Sequence, residues 1–142
     1  MAEKQDIDLI LQNKHKYITL FNTGNPNCPK GVRAISNIRK NTYICEYKGA
    51  KHNDQNSYFN STFQIYINGQ YKSSVSAEEN VTKRNIAQNI NHSKEFRNCK
   101  PCLWKSHIFI KTLRHIYKDE EIFYDYGETN FANMEANSWL HT

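Results

Sequence analysis

The chain alternates short hydrophobic runs with clusters of asparagine, glycine, proline and lysine. In residues 5–13, QDIDLILQN, Ile7, Ile10 and Leu11 fall at helical spacing and predict a short N-terminal helix. KYITLF then alternates as a strand does, and NTGNPNCPKG is a turn cluster of Asn, Gly and Pro. VRAISNI and TYICEYKG predict two strands around the turn RKN. FQIYINGQYKSSVSA holds Asn68-Gly69 between two β-rich runs, the strongest hairpin signal in the chain. EENVTKRNIAQNI predicts a short helix leading into a polar stretch, and HIFIKTLRHI a strand with a kink. KDEEIFYDYG reads as a turn followed by a strand. NFANMEANSWLHT predicts a C-terminal helix packed through Phe131, Met134 and Trp139. Short strands dominate and no repeat or linker is visible, so the pattern predicts a mostly-β single domain rather than a βαβ fold.

Composition changes this picture little. A chain of 142 residues has room for one modest core, and although only 38% is hydrophobic, nine Tyr and seven Phe each bury a large area. Lys and Arg outnumber Asp and Glu by 19 to 14, a formal charge of +5. That excess suits acidic surroundings such as chromatin or nucleic acid, and equally a solvated basic surface. The charged N-terminus MAEKQDIDLILQNKHK has neither a leader nor a membrane-spanning pattern, which leads us to expect a reducing compartment and free thiols. The CKPC stretch has metal-ligand spacing for two ligands, Cys99 and Cys102. Structural zinc needs two more, and Cys28 and Cys45 do not form a second close pair, so these read as buried or loop thiols with no metal.

One stretch is out of proportion. NIAQNINHSKEFRNC sets Asn89, Asn91, His92 and Ser93 around the single hydrophobic Ile90. So much hydrogen-bonding capacity belongs either to a surface loop or to a pocket that reads a polar ligand. The order of the pieces decides. A glycine-containing turn precedes a strand pair ending EYKG, then comes INHS, then EEIFYDYG. This order resembles the SET-domain lysine methyltransferases over nearly the whole chain. The tail YDYGETNFANMEANSWLHT, with IDLILQNKHKYITL, TFQIY and INHSK, is similar to the branch that monomethylates lysine twenty of histone H4. No cysteine follows Cys102, so the zinc module that follows many SET domains is not expected here.

The resemblance implies small β-sheets with a knot-like C-terminal crossing and short terminal helices. It divides residues 1–142 into an N-flanking helix and strand (1–22), a SET core (23–127) and a C-flanking helix (128–142). It implies S-adenosylmethionine as cofactor, held by Cys28, Pro29, Lys30 and Gly31 of the first turn, by Phe59, by Asn91 and His92, and by Trp139 over the adenine. Tyr126 is the implied catalytic tyrosine, with Tyr124 and Tyr47 walling the lysine channel. A tyrosine at Tyr124 goes with monomethylation in the family. Asp125 reads as a structural residue or an outward-facing one rather than a base. No general base is implied. Desolvation in an aromatic channel lowers the lysine pKa, and alignment of amine and methyl does the rest. The implied partner is a histone tail or nucleosome in the nucleus of its own or a host cell. The protein is expected to be a monomer, to make no membrane contact, and to meet nucleic acid only through chromatin.

The chain also departs from the pattern. The usual Gly-x-Gly turn is Pro29-Lys30-Gly31, which removes one permissive glycine and one N–H. Gln88 stands for an arginine, Asn89 for a large apolar residue and Asn137 for a tail histidine, and EFRNC is one residue longer than in the nearest branch. The alternative reading is therefore a degenerate SET domain that binds peptide or chromatin without turnover. A small basic nucleic-acid binder ranks third, because its Lys and Arg are dispersed rather than striped.

Overall fold

The computed structural model describes residues 2–12, 14–48, 50–52, 62–67, 70–76, 85–104, 107–125 and 130–134. Helix α1 (Ala2–Leu11) forms where the spacing predicts it. Ile7 and Ile10 are buried against Tyr43, Cys102 and Phe109, whereas Leu11 is exposed. Strands β1 (Ile18–Asn22) and β2 (Lys30–Ala34) pair antiparallel from Ile18↔Ala34 to Asn22↔Lys30, so the Asn/Gly/Pro cluster is a hairpin loop. Gly24 takes φ +81° there, a conformation glycine adopts without steric cost.

Strand β3 (Tyr43–Glu46) does not pair with β2 across the RKN turn. It pairs instead with β9 (His107–Thr112), which also pairs with β8 (Cys99–Trp104), giving the order β3-β9-β8. Arg39–Asn41 redirects the chain because Thr42 and Asn41 both bond Thr112, through its hydroxyl and its carbonyl. Strands β4 (Ala50–His52), β5 (Thr62–Ile67) and β6 (Gln70–Ser76) form a second sheet. The β5–β6 ladder runs in to Ile67↔Gln70, as the hairpin signal requires, and the turn residues Asn68 and Gly69 themselves lie outside the described residues.

The expected C-terminal helix requires correction over Asn130–Met134. Asn130–Met134 is a strand, here β11, lying parallel to β5 with Asn130↔Gln64 and Phe131↔Ile65. An edge of β5 not taken by β6 offers unpaired backbone groups, and that tertiary pairing outweighs the local helical spacing. Residues 135–142 lie outside the described residues. Of the helix expected in EENVTKRNIAQNI, the described part is a 3₁₀ turn, Ile86–Asn89, capped by the Asn85 side chain accepting from Ala87 N–H.

The β3-β9-β8 sheet separates two cores. On one face Tyr43 and Phe109 stack edge to face at 5.7 Å under α1. The other face buries Cys45, Tyr47, Cys99, Ile108 and Ile110 against Ile90, Ile122 and Tyr124. Cys99 and Cys102 fall in different cores, so CKPC does not bring two thiolates together, and no metal-ligating cluster occurs among the described residues. Burial raises the pKa of Cys45 and Cys99, which keeps both as thiols.

His15 carries a pH dependence. Burial, reinforced by Lys48, lowers its pKa below the usual value. The unfolded chain takes up this proton near pH ~6.5, while the folded chain resists it. The stability contribution is therefore complete above that pH and is lost as pH falls toward the lower folded pKa. Thermal melts from pH 7.5 to 5.5 should show a falling midpoint, and His15→Gln should flatten the fall. An unchanged slope would show that His15 does not titrate differently on folding.

Candidate active site

The polar stretch divides: Ala87, Ile90, Asn98 and Cys99 are buried in the fold, Asn91 is half-buried, and His92 and residues 94–97 are exposed. Strand β7 (Asn91–His92) lies parallel to β10 (Phe123–Tyr124), with Asn91 opposite Phe123 and His92 opposite Tyr124. The segment before β10 runs beside β2: Asp119 N–H donates to Ala34 O, Ala34 N–H to Glu120 O and Ile122 N–H to Val32 O, each at 2.8–2.9 Å. Residues 119–124 thus stitch the first hairpin to the Asn-His strand. Alternation along the segment turns Ile122 and Tyr124 into the core and leaves Glu121 and Phe123 half-buried on the other face.

A cavity of about 280 Å³ opens on that face, lined by Thr23, Asn25, Cys28, Asn91, His92, Glu121 and Phe123. Asn91 Nδ2 donates to the Lys30 carbonyl at 3.0 Å and to Glu121 Oε2 at 3.1 Å. His92 Nδ1 lies 3.8 Å from Asp125 Oδ1, so Asp125 faces the imidazole instead of solvent. The hairpin loop is held by its own polar groups: Thr23 Oγ1 donates to Cys28 O, Asn25 N–H to Thr23 Oγ1 and Asn27 N–H to Asn25 Oδ1. Pro29 has no N–H to lose here, and its carbonyl accepts from Thr23 N–H at 3.0 Å. The Lys30 ammonium turns away to Asn22 Oδ1, and its carbonyl is what meets Asn91.

Gly31 has an ordinary negative-φ backbone, yet space alone demands glycine. A Cβ there would fall 2.8 Å from Phe21, 2.9 Å from Glu121 Oε2 and 2.9 Å from Thr23. The close approach is to protein side chains. Gln88, the substitute for arginine, donates through Nε2 to the Lys48 carbonyl, immediately after Tyr47. Both departures, Pro29 and Gln88, are accommodated by backbone bonds.

Of the residues singled out in the sequence, Cys28, Asn91 and His92 converge on the cavity, with Lys30 and Gly31 beside it. Tyr47 and Tyr124 are buried together in the core behind β7 and β10. Phe59, Tyr126 and Trp139 lie outside the described residues. Two residues escaped the sequence reading. Glu121 was signalled only by the polar-apolar alternation of EIFY. Asn98 had no periodic signal at all, yet it is 2% exposed and clamps the crossing. Its Oδ1 accepts from Phe123 N–H and its Nδ2 donates to Glu121 O, both at 2.9 Å.

The strands β2, β7 and β10 that surround this cavity fall within residues 30–127, which match the SET-domain family pattern; the chain belongs to that family. It is 30% identical over 156 aligned positions to N-lysine methyltransferase KMT5A-A of Danio rerio, an alignment taking in 97% of this chain and 43% of that protein. The chain therefore spans less than half the length of that relative. CpSET8 from Cryptosporidium superposes with a TM-score of 0.67 at 23% identity, over 86% of this chain and 62% of that one. The methyltransferase domain of human PR domain-containing protein 2 gives 0.62 at 21% identity, over 85% and 84%. The ATXR5 SET domain, solved with di-methylated histone H3, gives 0.68 at 19% identity, over 92% and 67%. These structural likenesses establish the mostly-β fold. SET methyltransferases take S-adenosylmethionine as methyl donor.

Proposed function

We propose that this chain is an active protein-lysine methyltransferase that uses S-adenosylmethionine, with a histone tail, H4 first, as substrate and a monomethylated product. The pairing of β7 with β10 carries this reading, because it sets Asn91 and His92 over the cavity while Tyr124 lines the core directly behind them.

The cavity fits the cofactor on chemical grounds. It offers the free Asn91 oxygen, the Glu121 carboxylate and an imidazole to the amino-acid and nucleoside parts, and Phe123 as an apolar wall. When bound, S-adenosylmethionine supplies a methyl group on a sulfonium sulfur. The chain's task is to hold that ligand and bring a neutral amine into line with it. An ordinary lysine, with pKa ~10.4, is charged at neutral pH. Tyr47 and Tyr124, both buried, supply an aromatic, water-poor wall that disfavours the ammonium and releases its proton to water. Tyr126, two residues beyond Tyr124, orients the amine through its hydroxyl. Tyr124 restricts the room for further methyl groups, which favours monomethylation. A histone substrate carries with it action in a nucleus, its own cell's or a host's.

The test combines transfer and protection. Cys28 is exposed and lines the cavity, whereas Cys45, Cys99 and Cys102 are buried. In the native protein iodoacetamide should label Cys28 first, and S-adenosylhomocysteine should protect it. Label from radioactive S-adenosylmethionine should pass to histones or nucleosomes and be lost in Tyr126→Phe. Protection without transfer would favour the inactive binding module. Neither protection nor transfer would sink the methyltransferase reading.

A further inference from the structure

Glu121 stands apart from the other carboxylates of its segment. Asp119 accepts from Arg33 at 2.6 Å and Glu120 from Arg114 at 3.1 Å, so the nearby guanidinium groups are engaged elsewhere. Glu121 has no lysine or arginine partner among the described residues, although it is half-buried. Among the described residues its hydrogen-bond donor is neutral, the Asn91 amide at 3.1 Å. Its carboxylate lines the cavity beside Asn91 and His92.

The contact also settles which way the Asn91 amide points. Both groups that meet Nδ2, the Lys30 carbonyl and the Glu121 carboxylate, are acceptors only. A flipped amide would set its oxygen against both. Asn91 Oδ1 is therefore left as an acceptor with no partner among the described residues. One end of the cavity presents two acceptors, Asn91 Oδ1 and the second Glu121 oxygen, and one full negative charge. Gly31 makes room for this arrangement, since any side chain there would meet Glu121 Oε2.

We infer that Glu121 is the ammonium-recognising residue of this pocket: it holds the Asn91 amide in one polarity and gives its own charge to the α-ammonium of the ligand. The inference rests on the cofactor reading above and sharpens it. The amino-acid end of the ligand enters ammonium-first, and its carboxylate is kept away from Glu121. Discrimination is then directed at a free amino group and not at the nucleoside.

Calorimetric titration of the full chain tests this with two probes, S-adenosylhomocysteine and its analogue lacking the α-amino group. Glu121→Gln should weaken S-adenosylhomocysteine by about tenfold or more, the loss typical of a hydrogen bond to a charged group, and leave the deaminated analogue nearly unchanged. Equal weakening of both probes would mark Glu121 as merely structural and overturn the proposal, as would unchanged binding of the first. If the variant does not fold, the unaltered protein still decides. It should prefer S-adenosylhomocysteine over the deaminated analogue by about tenfold, and equal affinities overturn the proposal. Failure of the unaltered protein to bind either probe would instead count against the cofactor reading itself.

Discussion

Asn98→Ala should destabilise the protein by about 3 kcal/mol, lowering the melting midpoint by roughly 10 °C. The side chain is 2% exposed and bonds backbone groups on both sides of Ile122, accepting from Phe123 N–H and donating to Glu121 O. Its own backbone is equally committed, donating N–H to Phe123 O at 3.1 Å and accepting from Leu113 N–H at 2.8 Å. Alanine leaves one donor and one acceptor unsatisfied, each at a cost of about 1–3 kcal/mol. Asn98→Asp should do no better. It can still accept from Phe123 N–H but has nothing to donate to Glu121 O, and it places a charge in a buried position. Urea denaturation should show the midpoint shift at unchanged slope. A loss below about 0.5 kcal/mol would mean that water takes over both bonds and that the clamp is dispensable. The same variant should weaken cofactor binding, because β10 carries Phe123 into the cavity wall and Tyr124 into the core behind it.

Gly31→Ala should cost about 1–3 kcal/mol of stability and at the same time weaken S-adenosylhomocysteine by more than Cys28→Ser does. The added methyl would meet three side chains at once, Phe21, Thr23 and Glu121, all within 2.9 Å. Thr23 is held by its hydroxyl's bonds with Cys28 O and Asn25 N–H, so Glu121, held by a single side-chain contact to Asn91, is the group expected to move. Moving it breaks the Asn91 contact and with it the amide polarity on which the ammonium site depends. Gly31→Ser should behave as alanine does, since the cause is volume and not polarity. If Gly31→Ala keeps both stability and affinity, the hairpin has slack and the crowding around this position is not functional.

The two variants also show which parts of the site could be read in advance. Asn91, His92 and the turn at Cys28–Gly31 belong to local motifs, whose residue types and order are visible along the chain. Glu121 and Asn98 act through partners 30 and 23 positions away, Asn91 and the Glu121 backbone, and no local period points to such a pairing. Gln88 is similar. As a departure from an arginine it suggested a weakened site, but across the fold its amide reaches the Lys48 carbonyl and ties the 3₁₀ turn to the segment that follows β3 and carries Tyr47. The C-terminal segment misled for the same reason in reverse: its helical spacing was local, and the β5 edge that claimed it was not.

What the sequence determined by itself was the set of pieces: α1, the strands β1 and β2 with a turn cluster between them, the β5–β6 hairpin, the runs of β3 and β9, and the Asn-His and Tyr motifs. These follow from side-chain period and turn chemistry, which act over a few residues. Tertiary structure alone decided that β3 pairs with β9 and not with β2, that Asn130–Met134 is a strand, and that residues 119–124 join the first turn to the Asn-His strand. Those choices are made by backbone groups that must find partners once the core closes, and a hydrogen bond made at long range leaves no period in the sequence.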